Sequence, residues 1–285
     1  MIWNYKVNIL STDTVERFTS LTNTHYESII KFIMGDDDEG LIEYLEQLMQ
    51  ALSVTQTIKW ETLNIIDKLF IIATIRSICV APIINVTYKD SNTTEEQTPI
   101  TCNVELFSVR SSINKEYIQP IICRDDEYNM EIVMHYPTRW NENKLTSYIT
   151  DITIDGTHIS SSGISSDDLY KIVNQLPPQV HVKAVHARET LEESINKMTF
   201  LNLESQDPIT FIVDELIHFV KILFTENFNN FIELNYVLVK MAKLSLADVM
   251  NMTPIDTQLY YKMFMREQKE REKQENSTGD RRSLS

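Results

Sequence analysis

Six histidines, three cysteines and an acidic run at residues 35–40 are the groups in this 285-residue chain whose types could do chemistry. A zinc site wants His or Cys ligands that converge, as H-E-x-x-H does on one helix face, and that spacing is absent. His181 and His186 lie five residues apart, about 140° around a helix, so one metal cannot take both without distortion. His135, on a strand beside Tyr136-Pro137, and His218, on an apolar helix, are expected as packed, hydrogen-bonded imidazoles. The run GDDDEG invites a calcium reading. Counted from Asp36, however, position six is Leu41 and position twelve is Gln47, where an EF-hand loop needs Gly and Glu. Its expected role is only to put negative charge at the start of the next helix. Cys79, Cys102 and Cys123 are odd in number and have no C-x-x-C spacing, which reads as reduced thiols in a cytosolic protein. No G-x-S-x-G, G-x-x-x-x-G-K or G-x-G-x-x-G occurs. The chain is therefore expected to be no enzyme, with no metal, no cofactor and no small-molecule substrate.

Composition narrows the partners. With 26 Lys and Arg against 41 Asp and Glu the net charge is −15, which argues against a surface that neutralises phosphates, so no nucleic acid is expected. At 42% apolar the chain can bury a core. The longest uncharged apolar run, Leu69 to Ile75, falls far short of the ~20 residues of a membrane span, and no signal-peptide pattern opens the sequence. A cytoplasmic chain away from membranes is the expectation.

The elements that would position these groups follow from periodicity. Residues 2–10 read as an opening strand. Apolar residues from Val15 to Met34 fall at helical spacing, with a break near Thr22 to Thr24 as the alternative, and a helix follows over Leu41 to Leu52. From Leu63 to Val80 apolar residues surround the helix, which marks the buried centre of an N-terminal lobe. Arg76 inside it must pair with a carboxylate or cap carbonyls near the helix end. After Pro82 the period changes to two: Ile84 to Tyr88, Cys102 to Leu106, Glu116 to Ile122 and Met130 to Tyr136 predict one small antiparallel sheet over 83–136, with a loose acidic insertion at Asp90 to Thr98.

Helix is expected again after Pro137, and Asp155-Gly156 marks one hairpin. The turn-rich stretch 140–165 reads either as a linker or as an extension of the sheet. Helices are expected at 165–176 behind the cap sequence SSDD, at 179–198 and at 209–224 behind prolines, and over the last fifty residues. Met241, Met250, Met252, Met263 and Met265 could line an adaptable groove, but methionines at helical spacing are more often core. The fold class is thus α+β. Residues 1–150 form helices plus an antiparallel β region, 151–265 a mainly α-helical lobe, and 266–285 a charged helix extension fraying into a disordered tail.

One arrangement is more informative than any of these motifs: the helix LNIIDKLFIIATIRSICVAP, a set of strands, then MEIVMHYPT. It resembles the T4-type phage baseplate protein family, the hub assembly proteins of myovirus tails. There a leucine- and aromatic-rich helix ends in an Arg- and Ser-bearing stretch, and a β region closes on a Met-x-Tyr-Pro-Ser/Thr turn. The matching residues here are Asp67, Leu69, Phe70, Arg76, Ser77, Met134, Tyr136, Pro137 and Thr138. Val80-Ala81 stands where the family usually has glycine. The likeness is best over 58–140 and continues through SSDDLYKIVNQLP. The segment IELNYVLVKMAKLSLADVMNMTPIDTQLYYKMF is similar to the ending of such proteins.

The resemblance implies a non-enzymatic assembly factor, or chaperone, that binds other phage baseplate hub or tail proteins in the host bacterial cytoplasm. The alternative is a structural component retained in the virion baseplate or hub. It makes Asp67, Arg76, Ser77, Tyr136 and Pro137 fold-determining positions rather than catalytic ones.

Overall fold

A computed structural model describes residues 4–12, 14–88, 100–105, 119–140, 142, 144–201, 208–212, 216–224 and 228–282. The chain opens with an antiparallel pair, β1 (Asn4–Ile9) and β2 (Thr14–Thr19), in which Tyr5 opposes Phe18 and Val7 opposes Glu16. The helix expected from Val15 therefore begins only at α1 (Asn23–Met34). Strand wins over 14–19 because alternate residues turn inward: Glu16 and Phe18 are buried while Val15 is 52% exposed.

Helix α2 (Asp38–Leu52) packs on α1 and buries Leu41, Leu45, Leu48, Met49 and Leu52, an i, i+4, i+7 stripe. A 3-10 turn at Trp60–Thr62 leads into α3 (Ile65–Cys79), of whose fifteen residues all but Thr74 and Ile78 are buried. It is the central rod of the molecule.

The described strands of the expected 83–136 sheet fall in two sheets, not one. Among the described residues β3 (Ile83–Tyr88) pairs with β4 (Ile100–Glu105) alone, and the expected insertion at 90–98 lies outside them. A separate four-stranded sheet has the order β5-β6-β7-β8, from β5 (Ile121–Asp125), β6 (Met130–Met134), β7 (Ile149–Ile154) and β8 (Thr157–Ser160). The strand expected at 116–122 is thus shifted toward the C-terminus, its first residues lying outside the described ones. Residues 140–165 extend the sheet. Pairing of Ile152 with Ile132 buries both, and it outweighs the helix expected after Pro137, which amounts to one turn, α4 (Leu145–Tyr148). The Asp155-Gly156 hairpin forms as expected, with Asp155 at φ 50° and Gly156 at φ 77°, the conformation that favours these two residue types.

Helix α5 (Ser166–Asn174) starts where Ser165 accepts from the Asp168 backbone N–H, and α6 (Pro178–Asn196) lies across β5 and β6. Residues 209–212, expected as helix behind Pro208, are strand β10 (Pro208–Ile212), paired with β9 (Lys197–Leu201). The β-branched and aromatic sequence PITFI fits a strand once a partner strand supplies the hydrogen bonds. The chain ends in α7 (Leu216–Phe224), α8 (Phe228–Lys240), α9 (Leu246–Asn251) and α10 (Pro254–Arg282). Every described residue from Lys269 to Gln274 is exposed, so the expected charged extension is present as helix; residues 283–285 lie outside the described ones. One apolar cluster runs from Val7 to Phe231. The architecture is α+β.

Candidate functional site

The five positions singled out in the sequence gather at the two ends of α3, about 14 Å apart at the helical rise between residues 67 and 76. At the N-terminal end Asn64 caps the helix, accepting from the Asp67 N–H at 2.9 Å. The Asp67 carboxylate accepts from the Ser11 N–H at 3.1 Å, from the Ser11 hydroxyl and from Asn64 Nδ2 at 2.9 Å. Burial pushes the pKa of this carboxyl up, and the Ser11 donors oppose that rise without cancelling it. The segment that follows β6 closes over the same end: the Pro137 carbonyl accepts from the Ile65 N–H at 2.9 Å. Tyr136 is buried, with the His135 ring edge-on to it at 5.6 Å.

Lys68, which the sequence did not single out, completes this end. It is buried, and its Nζ donates to the Thr138 carbonyl and to Glu46 Oε1, both at 2.7 Å, with the Trp60 ring centroid 5.9 Å away. The signal was legible in principle, since a lysine on an all-apolar helix must find an acceptor.

At the C-terminal end Arg76 is fully buried. Its guanidinium donates from Nε to the Leu223 carbonyl at 2.8 Å and from Nη1 to the carbonyls of Ile83 at 3.2 Å and of Ala81. Of the two arrangements expected for Arg76, these bonds are the carbonyl-capping one. Ser77 Oγ donates to the Thr74 carbonyl at 2.8 Å within the helix. Asp67, Tyr136 and Pro137 are thus brought together, and Arg76 and Ser77 are held apart from them.

The last four helices are stitched to the same frame. Tyr26 OH donates to the Phe224 carbonyl at 3.2 Å. Asn23 donates from its N–H to the Met252 carbonyl at 2.8 Å, and from Nδ2 to the Val249 carbonyl and Thr257 Oγ1, both at 2.6 Å. Lys221 on α7 holds Asp36 and Asp38. The acidic run therefore does more than the expected helix-start work of Asp37, which accepts from the Gly40 N–H. Between α3, α8 and the start of α10 lies a cavity of ≈ 240 Å³, bounded by Tyr26, Val80, Phe231, Leu234 and Thr257.

The groups with chemical potential are quiet. Burial pushes the Cys79 thiol up to about 11, so it stays protonated and a poor nucleophile. The Tyr148 phenol is pushed up by burial and by Glu192, which favours its neutral form. Among the described residues, no three His, Cys, Asp or Glu side chains are grouped so as to hold a metal, and no helix is long and apolar enough to cross a membrane. Two expectations fail here. His218 is exposed rather than packed, and Met241 and Met263 are about half exposed rather than core, because both end on the outward side of their segments.

What the structure offers instead is surface. Large apolar side chains stand in solvent at Ile122 on β5 and Val182 on α6, and at Ile232, Tyr236, Leu259 and Met263 on α8 and α10. Compared with known proteins, the chain matches the profile of the family described as T4 bacteriophage base plate protein over residues 2–205. No curated protein and no solved structure matches it.

Proposed function

Because the chain belongs to the T4 bacteriophage base plate protein family, we propose that it is a non-enzymatic assembly factor for the baseplate hub or tail, acting in the host bacterial cytoplasm. The observation that carries this reading is the placement of exposed apolar side chains on two separate faces, the β5–α6 face and the C-terminal helices. Contiguous exposed apolar surface on a folded chain marks a partner site. The charge pattern supports a protein partner, since the excess of acidic side chains disfavours nucleic acid.

A helper of this kind covers an apolar or strand-edge surface on a hub subunit and suppresses its self-association. It leaves when the correct neighbour buries more area, by mass action. Two measurements test it together. Quantitative mass spectrometry of infected-cell lysate beside purified virions is expected to find the chain abundant in lysate and absent from particles. Affinity capture of the tagged chain is expected to recover hub or tail proteins. Several copies per particle would instead make it a structural baseplate component, and capture without any hub or tail protein would overturn the partner assignment.

A further inference from the structure

Helix α10 leaves one stripe without a partner among the described residues. Pro254 and Thr257 are buried against the body. About 200° and 240° around the helix from Thr257 come Leu259 and Met263, which are 53% and 51% exposed, with Tyr260, 50% exposed, beside them. Half-buried Asp256 precedes this apolar patch and exposed Arg266 follows it, on the same side of the helix. Neither forms an ion pair with any described residue.

The order acid, Leu, Met, base along one stripe is self-complementary. Turned antiparallel about a two-fold axis at the level of Tyr261, the stripe sets Leu259 level with Met263 of a second copy and Asp256 level with Arg266 of that copy. Two-fold symmetry then repeats both pairs. We propose that the outer stripe of α10 is a homodimer interface, occupied by the same stripe of a second copy in antiparallel register.

Charge says why this face, and not another, meets its own kind. Residues 1–227 hold 17 basic and 33 acidic side chains, a net −16, whereas residues 228–285 hold 9 and 8, a net +1. Two acidic bodies repel, and the near-neutral C-terminal end is where two copies approach at least cost. Ile232 and Tyr236, an exposed i, i+4 pair on α8, add apolar area on the same C-terminal unit. A single helix stripe buries less than the roughly 800 Å² per partner of a standard interface, so the dimer is weak, with dissociation in the micromolar range.

The test is sedimentation equilibrium of the purified full chain over a wide concentration range, with circular dichroism and thermal melts as folding controls. L259E and M263K each replace an exposed residue, so the melts should not change. Each should weaken association at least tenfold, because a charge then faces an apolar side chain. The double variant L259E/M263K should recover association, because across the axis each new charge faces the opposite one. A wild-type chain that stays monomeric at every concentration overturns the proposal. So do single variants that associate like wild type, or a double variant as weak as the singles. The measurement uses the chain alone, so its outcome is independent of the assembly-factor reading.

Discussion

Replacing Arg76 with alanine removes the donors that satisfy three carbonyls at the end of α3, one of them 147 residues away in sequence. Hydrogen bonds from charged donors, lost together with a buried side chain's packing, put the expected destabilisation at about 3 kcal/mol, read as a lower urea midpoint. Arg76→Lys should recover only part of it, because an ammonium cannot span the fork of acceptors. Titration gives a second test at this scale. Burial alone would raise the Glu16 carboxyl, but donors from Ser53, Thr55 and Thr57 outweigh it and hold its pKa below the usual value of 4.5. Its contribution to stability is therefore present above that value and lost as pH falls through the folded pKa. Asp67, raised above 3.8, has the opposite sign: stability is greatest below that value and declines as pH rises through the folded pKa. Chemical denaturation as a function of pH should show Glu16→Gln flattening the acid-side loss and Asp67→Asn removing the decline on the rising side. Arg76 was legible in the sequence because an arginine in a fully apolar helix demands partners. Glu16 was not, since its three hydroxyl partners lie 37 to 41 residues away and leave no local pattern.

At the scale of elements, the long helices were readable where one periodicity dominated: α2, α3 and α6 appear where apolar spacing and caps placed them. The failures share a cause. β2 was hidden by an inward-facing acid and an outward-facing valine, which together mimic helical spacing. β10 exists because another strand supplies its hydrogen bonds, and a partner strand is not visible in a local window. Two-sheet topology was hidden for the same reason. Asn23 ties α1 to α9 and α10, its side chain donating to Val249 and Thr257 and its backbone N–H to Met252, beside Thr24 Oγ1 on the Met250 carbonyl and Tyr26 on Phe224. Asn23→Ala should cost about 2 kcal/mol. Hydrogen exchange should show faster opening of residues 246–260 while α2 and the β5–β8 sheet keep their protection.

For the whole molecule, the family match ends at residue 205, but the core does not. Ile217, Phe219, Val220, Leu223 and Phe224 of α7 are buried almost completely, against α1 and α3. A chain truncated after residue 205 would expose that binding surface along with the unsatisfied donors of Arg76 and Tyr26. It is expected to aggregate on expression rather than give a cooperative melt. Truncation after residue 265 removes helix whose residues from Lys269 to Gln274 are exposed, and its urea midpoint should match the full chain within error, as measured by far-ultraviolet circular dichroism. The two truncations therefore separate the part of the C-terminal region that completes the fold from the part that only extends it.

The bond from Arg76 to Leu223 also has a temporal side. A ribosome adds about 5–20 residues per second, so the 147 residues between donor and acceptor correspond to roughly 7–30 s of synthesis. Throughout that interval the nascent chain carries its central helix, buried along nearly its whole length in the finished fold, with a cation at one end and no α7 to cover it. Cotranslational folding therefore cannot finish on the family-matched segment alone; it waits for α7, and until then the emerging chain is itself a client for the cell's chaperones.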